Sequence, residues 1–128
     1  MLSIKGRNIQ ITRGDVLPIT ISAKSEIDDS AYEFQIDDII RFKIMQKDRV
    51  EAVLLSKDFK ITEVGTEQQI TIPANDMKIG ELKSKPIDYW YEIELNPDTE
   101  KTNTIEGYDK EDGPAIITIL PEGGDIEW

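Results

Sequence analysis

The chain has 128 residues, 38% hydrophobic and 32% charged, which is the size and make-up of a single domain able to bury one core. Its 15 basic and 26 acidic residues leave a formal charge of -11 with no histidine, so the surface repels phosphate backbones and anionic lipid, and neither nucleic acid nor a membrane is an expected partner. There is no cysteine, which rules out disulfides, thiolate metal sites, iron–sulfur clusters and thiol nucleophiles.

The opening "MLSIKGRNIQITRGD" has no continuous apolar core of the secretory kind. No run approaches the roughly 18 apolar residues needed to span a bilayer. A soluble protein made in a cytoplasm is the expectation. "NIQI" and "VLPITIS" flank Arg13-Gly14-Asp15, a triplet that in an exposed loop would spell an adhesion ligand. Here the connection is only a few residues long, so it is read as a tight hairpin turn in which Gly14 supplies a permissive dihedral and Asp15 satisfies backbone donors.

Period two then dominates. Leu17, Ile19 and Ile21 alternate with Pro18, Thr20 and Ser22, giving a strand with one apolar face. Pro18 cannot donate to a ladder and assigns that strand to an edge or a bulge. Residues 24–38 form an acidic, exposed connection. Ile40, Phe42 and Ile44 alternate with Arg41 and Lys43. "VEAVLL", residues 50–55, continues extended into Phe59 and Ile61, and Ile70 and Ile72 mark a further strand. The segment 73–82 breaks the pattern: Pro73, the capping candidates Asn75 and Asp76, apolar Met77 and Ile79, and a stop at Gly80 predict one or two helical turns. Tyr89, Tyr91, Ile93 and Leu95 form the next strand. The last, "AIITILP", is apolar on both faces and fits burial from both sides or a subunit contact. About seven short strands with Gly, Pro, Asn and Asp between them predict an all-β antiparallel sandwich of immunoglobulin-like type, one domain over residues 1–128 with a short helical crossover.

Chemistry-bearing patterns are sparse. In "YDKEDGP" the oxygen donors Asp109, Glu111 and Asp112 precede or adjoin Gly113, but an EF-hand count would put Tyr108 and Lys110 at ligand positions, so a solvated turn is expected. Asp28, Asp29, Asp37 and Asp38 follow no loop pattern. "PEGGD" lacks the lysine and helix of a nucleotide site. With neither His nor Cys, triad chemistry is absent, and an enzyme is not expected: no catalytic, cofactor-binding or metal-ligating residue is assigned. Trp90 lies between Tyr89 and Tyr91, so if the tyrosines pack inward it faces outward, either as a stacking platform for a sugar or as cover for a second apolar layer.

Four segments in order carry a resemblance. "ITRGDVLPITISAK", "DDIIRFKIMQK", "ITIPANDMKIGELKSKPIDYWYEIEL" and "TIEGYDKEDGPAIITILPE" resemble, over nearly the whole chain, the N-terminal domains of Gram-positive phage baseplate upper proteins and related tail components. The departures are the acidic connection at 24–38 and the lack of a downstream receptor-binding or coiled-coil segment. The resemblance implies a virion structural module of a phage or prophage, docking with other tail or baseplate proteins and with copies of itself. It brings no catalytic residue and no cofactor. A carbohydrate-binding or cell-surface adhesion module of the same architecture is the alternative.

Overall fold

The computed structural model describes residues 8–23, 30–47, 49–80, 85–97, 103–106 and 115–121. They form eight strands: β1 (Ile9–Thr12), β2 (Leu17–Ile21), β3 (Ile39–Gln46), β4 (Arg49–Lys60), β5 (Gln68–Ile72), β6 (Ile87–Leu95), β7 (Asn103–Glu106) and β8 (Ile116–Leu120), with one 3-10 turn at Ala74–Met77. The larger sheet has the order β1-β8-β6-β3-β4, with β7 also on β6, and β2 pairs with β5 in a second sheet. The chain is thus an all-β, sandwich-like fold, and no helix among the described residues is long and apolar enough to cross a membrane.

Alternation decides which side chains enter the core. Leu17, Ile19 and Ile21 of β2 and Ile70 and Ile72 of β5 meet Ile40, Phe42 and Ile44 of β3 and Tyr89, Tyr91, Ile93 and Leu95 of β6, all buried in one cluster. Phe42 and Tyr91 lie with ring centroids 5.9 Å apart at a tilt of 34°. Pro18 sits opposite Thr71 on a strand whose other side has no partner strand among the described residues, which is where a missing amide is tolerated. "VEAVLL" and the Phe59 segment are a single strand of 12 residues, and its register against β3 slips between Ile44 and Met45, leaving Leu54 as the extra residue of a bulge.

The 3-10 turn falls inside the predicted segment but is not capped as expected: Pro73 precedes it with no side-chain cap, Asn75 and Asp76 lie within it, and Asp76 instead pairs with Lys57 of β4 at 2.5 Å. That ion pair ties the crossover to the edge of the larger sheet. Met77 and Ile79 are buried as anticipated. Gly80 has φ +80, and a Cβ built on it would lie 2.3 Å from the Tyr89 hydroxyl oxygen. The crossover can therefore reach β6 only because this position has no side chain.

Three expectations need correction. First, Arg13-Gly14-Asp15 is not a hairpin: it carries the chain from β1 in the larger sheet to β2 in the smaller one. Asp15 N–H donates to Thr12 C=O at 3.0 Å, and Gly14 has φ 83, as the third residue of a type II turn requires. The turn is held from outside, since Arg13 N–H donates to Leu120 C=O at 2.8 Å and Gly14 N–H to Met77 C=O at 3.0 Å. Second, the sandwich is not wholly antiparallel, because β1 runs parallel to β8 with Ile9 opposite Ile117. Third, β7 was not anticipated; Ile105 is its single apolar residue.

Candidate functional site

The outward face of the larger sheet is the most organised surface among the described residues. With Tyr89 and Tyr91 buried, strand geometry turns Trp90 outward, as does Met45 opposite it. Register then sets out three rows. The first is Val53, Met45, Trp90 and Ile116 across β4, β3, β6 and β8. The second pairs Lys43 with Glu92, and the third aligns Asp58, Arg41 and Glu94.

The first row is apolar throughout. Met45 is only 3% exposed yet stands outside the core cluster, so it belongs to a second apolar layer. Trp90 and Ile116 are half-buried, and Val53 and the bulged Leu54 are 46% and 41% exposed. Of the two roles open to Trp90, cover for such a layer matches its position between Met45 and Ile116.

The other two rows are ion pairs. Arg41 Nε and one Asp58 carboxylate oxygen are 2.7 Å apart, with a second contact of 3.1 Å from Nη2 to the other oxygen, a two-pronged pair that holds the Asp58 carboxyl below its ordinary value through the hydrogen bond from Arg41, against the opposing effect of burial. Lys43 Nζ lies 3.0 Å from Glu94 and 3.6 Å from Glu92. Burial opposes the charge on Lys43, but its hydrogen bond to Glu94 and the two nearby carboxylates outweigh it and raise the ammonium above its usual value. Glu92 also moves up, first through burial and then through the Glu94 charge, despite the attraction of Lys43. The two rise for different reasons: Lys43 because two carboxylates surround it, and Glu92 chiefly because burial disfavours its charge, with the neighbouring Glu94 adding to that.

A polar knot closes one end of the larger sheet. The Asp38 carboxylate accepts from Tyr32 Oη at 2.6 Å, from the Gln35 amide at 2.9 Å and from Asn96 Nδ2 at 3.1 Å. Asn96 Oδ1 accepts from the Ile39 amide at 3.0 Å. Asp37 and Asn96 are the two described non-glycine residues with positive φ, 75° and 49°, and Asp37 pairs with Lys60 at 3.2 Å. Burial, then the hydrogen bond and charge of Asp38, push the Tyr32 phenol up to about 12. Asp37 and Asp38 therefore organise backbone.

Asp28, Asp29 and the stretch 108–114 lie outside the described residues. Among the described residues no three His, Cys, Asp or Glu side chains converge in a group that could hold a metal. Arg13 is half-buried, with its Nε shielded from solvent, while Asp15 is exposed, which is not the pair of splayed tips an adhesion ligand presents. An open cleft of about 130 Å³ beside β2, lined by Ile19, Ile21, Tyr91, Ile93 and Ile105 with Thr20 and Ser22, is well below the roughly 300–1,000 Å³ of a small-molecule site.

The ion-pair rows were half-legible in sequence, because Arg41/Lys43 and Glu92/Glu94 each alternate, but their juxtaposition depends on the β3–β6 register. The chain matches no known family, no curated protein and no solved structure.

Proposed function

We propose that this chain is a structural module of a phage or prophage tail or baseplate, working in the virion through protein–protein contacts on the outward face of its larger sheet. The observation that carries the reading is the apolar row of Val53, Met45, Trp90 and Ile116, exposed chiefly at Val53 and at Leu54 beside it, and bordered by ion pairs. An apolar centre with a polar border is the anatomy of a docking surface.

The sheet edges favour face docking over strand addition. β1 and β5 are short, β2 carries Pro18, and the long β4 is bulged and bears Lys57 and Lys60, all devices that discourage pairing at an edge. β8 has partners on both sides, so it contributes through the outward side chain of Ile116. The segment order that resembles baseplate upper proteins points to the setting. The strand order supports the immunoglobulin-like part of the reading: β2 with β5, and β8-β6-β3-β4 as the second sheet, follow the arrangement of a variable-type domain, with β1 added in parallel at the edge.

The test is incorporation. Particles purified from a host induced for the encoding prophage are expected to contain the chain, and Leu54→Glu or Val53→Glu, both at exposed positions, should fold yet fail to incorporate. Absence from particles, or undiminished incorporation of both variants, would overturn the reading. Binding to a defined sugar on a glycan array, lost in Trp90→Ala, would transfer the face to the carbohydrate-binding alternative.

A further inference from the structure

We propose that the occupant of this face is a second copy of the same chain, packed sheet to sheet about a two-fold axis that runs along the strands between β3 and β6. The inference rests on the assembly reading and specifies its partner and contact geometry.

It follows from the arrangement of charge. On the outward face β3 presents a basic column, Arg41 and Lys43, and β6 beside it presents an acidic column, Glu94 and Glu92. The pairs are in register: Arg41 is opposite Glu94, Lys43 is opposite Glu92, and Met45 is opposite Trp90. A two-fold rotation about an axis parallel to the strands keeps each residue's height along the strand and exchanges the columns. Arg41 then meets Glu94 of the second copy and Lys43 meets Glu92 of the second copy, while the Trp90 side chains, each covering the buried Met45 of its own chain, lie toward the two-fold axis at one height. One strand further out, Val53 meets Ile116 of the second copy, so the most exposed member of the apolar row is covered by another apolar side chain.

Such self-complementarity is what an isologous contact demands, and a basic column beside an acidic one at matched heights supplies it only for this axis. Aligned sheets pack about 10 Å apart with strands within about 30°, a spacing at which these side chains interdigitate. The four charged side chains of the two columns retain 16–24% exposure, so each still has a solvent-facing side to share.

Four strands about 4.8 Å apart, each contributing about six residues at about 3.4 Å, give a patch of about 400 Å² per copy, half the roughly 800 Å² of a standard interface, so the expected self-association is weak, at tens to hundreds of micromolar. The net charge of -11 opposes approach at long range, so the measurement belongs at about 0.15 M salt, where screening acts beyond roughly 8 Å.

The experiment is sedimentation equilibrium of the full chain over about 10–300 µM, the range in which a weak interface is resolved. Wild type is expected to go from monomer to dimer. Lys43→Glu and Glu92→Lys, taken singly, each place like charges opposite one another and should weaken association at least about tenfold. Mixed in equal amounts they should associate again, because the acidic pair of one variant then faces the basic pair of the other. Val53→Glu, at a site outside the ion pairs, should also abolish the dimer, with far-UV circular dichroism reporting an intact fold. A wild type that stays monomeric throughout, single variants that associate like wild type, or a folded mixture that does not recover association would each overturn the proposal. A monomeric chain that still enters particles sinks the self-contact alone, whereas a dimeric chain absent from particles sinks the assembly reading alone.

Discussion

Replacing Gly80 with alanine sets two separate penalties against each other in one measurement. The backbone there has φ +80, where an L side chain crowds its own carbonyl at a cost of about 1–2 kcal/mol, partly offset by a gain of about 0.4–1 kcal/mol from a stiffer unfolded chain. The new methyl would also lie 2.3 Å from Tyr89 Oη, forcing that ring to shift, and overpacking of this kind costs about 1–3 kcal/mol. Gly80→Ala should therefore destabilise by about 2–4 kcal/mol. In a Tyr89→Phe background the hydroxyl is gone and the nearest remaining atom is the ring Cζ at 3.5 Å, an ordinary contact, so the same change should cost about 1 kcal/mol. Urea unfolding of the four proteins, followed by far-UV circular dichroism, yields the coupling, and whatever Tyr89→Phe loses by itself cancels in the cycle. A coupling below about 0.5 kcal/mol would refute the close approach of the crossover to β6.

Asp38→Asn should unfasten the knot around Tyr32, Gln35 and Asn96 and cost about 1–3 kcal/mol, measured by the same unfolding assay. It should also bring the Tyr32 phenol down from about 12 toward the ordinary tyrosine value in a near-ultraviolet absorbance titration, because a negative acceptor is lost. In wild type the Tyr32 contribution is fully present below the ordinary value and lost as pH rises through about 12. Glu92→Gln should be no less stable than wild type at neutral pH, since the folded state holds that carboxyl above its ordinary value and its ionised form is disfavoured. As pH falls through the raised value, wild type takes up the proton first in the folded state and gains stability, so the lead of Glu92→Gln should shrink; a lead that widens would contradict the burial of the Glu92 carboxyl beside Glu94.

Where side chains alternate, the fold was readable. Leu17, Ile19, Ile21, Phe42, Tyr91 and Ile93 are buried where period two puts them, and Trp90 faces outward because its neighbours face inward. Strand direction and sheet membership were not readable, since alternation is identical for parallel and antiparallel neighbours and for either sheet. The parallel β1–β8 pair and the crossing at Arg13-Gly14-Asp15 escaped for that reason: the donors of Arg13 and Gly14 are taken by Leu120 and Met77, more than sixty residues away in sequence for the nearer. β7 escaped because Ile105 alone sets no period. The apolar row escaped because the bulge at Leu54 decides which β4 residue stands beside Met45.

β7 and β8 lie end to end along the same side of β6, with Glu106 opposite Ile93 and Ile116 opposite Trp90. The ladder advances three positions along β6 while the chain advances ten, so the two strands behave as one rung sequence with seven residues spliced into it. Neither half takes its register from the other; each is set by its own pairing with β6. A substitution that slips one of the two strands along β6 should therefore leave the register of the other in place.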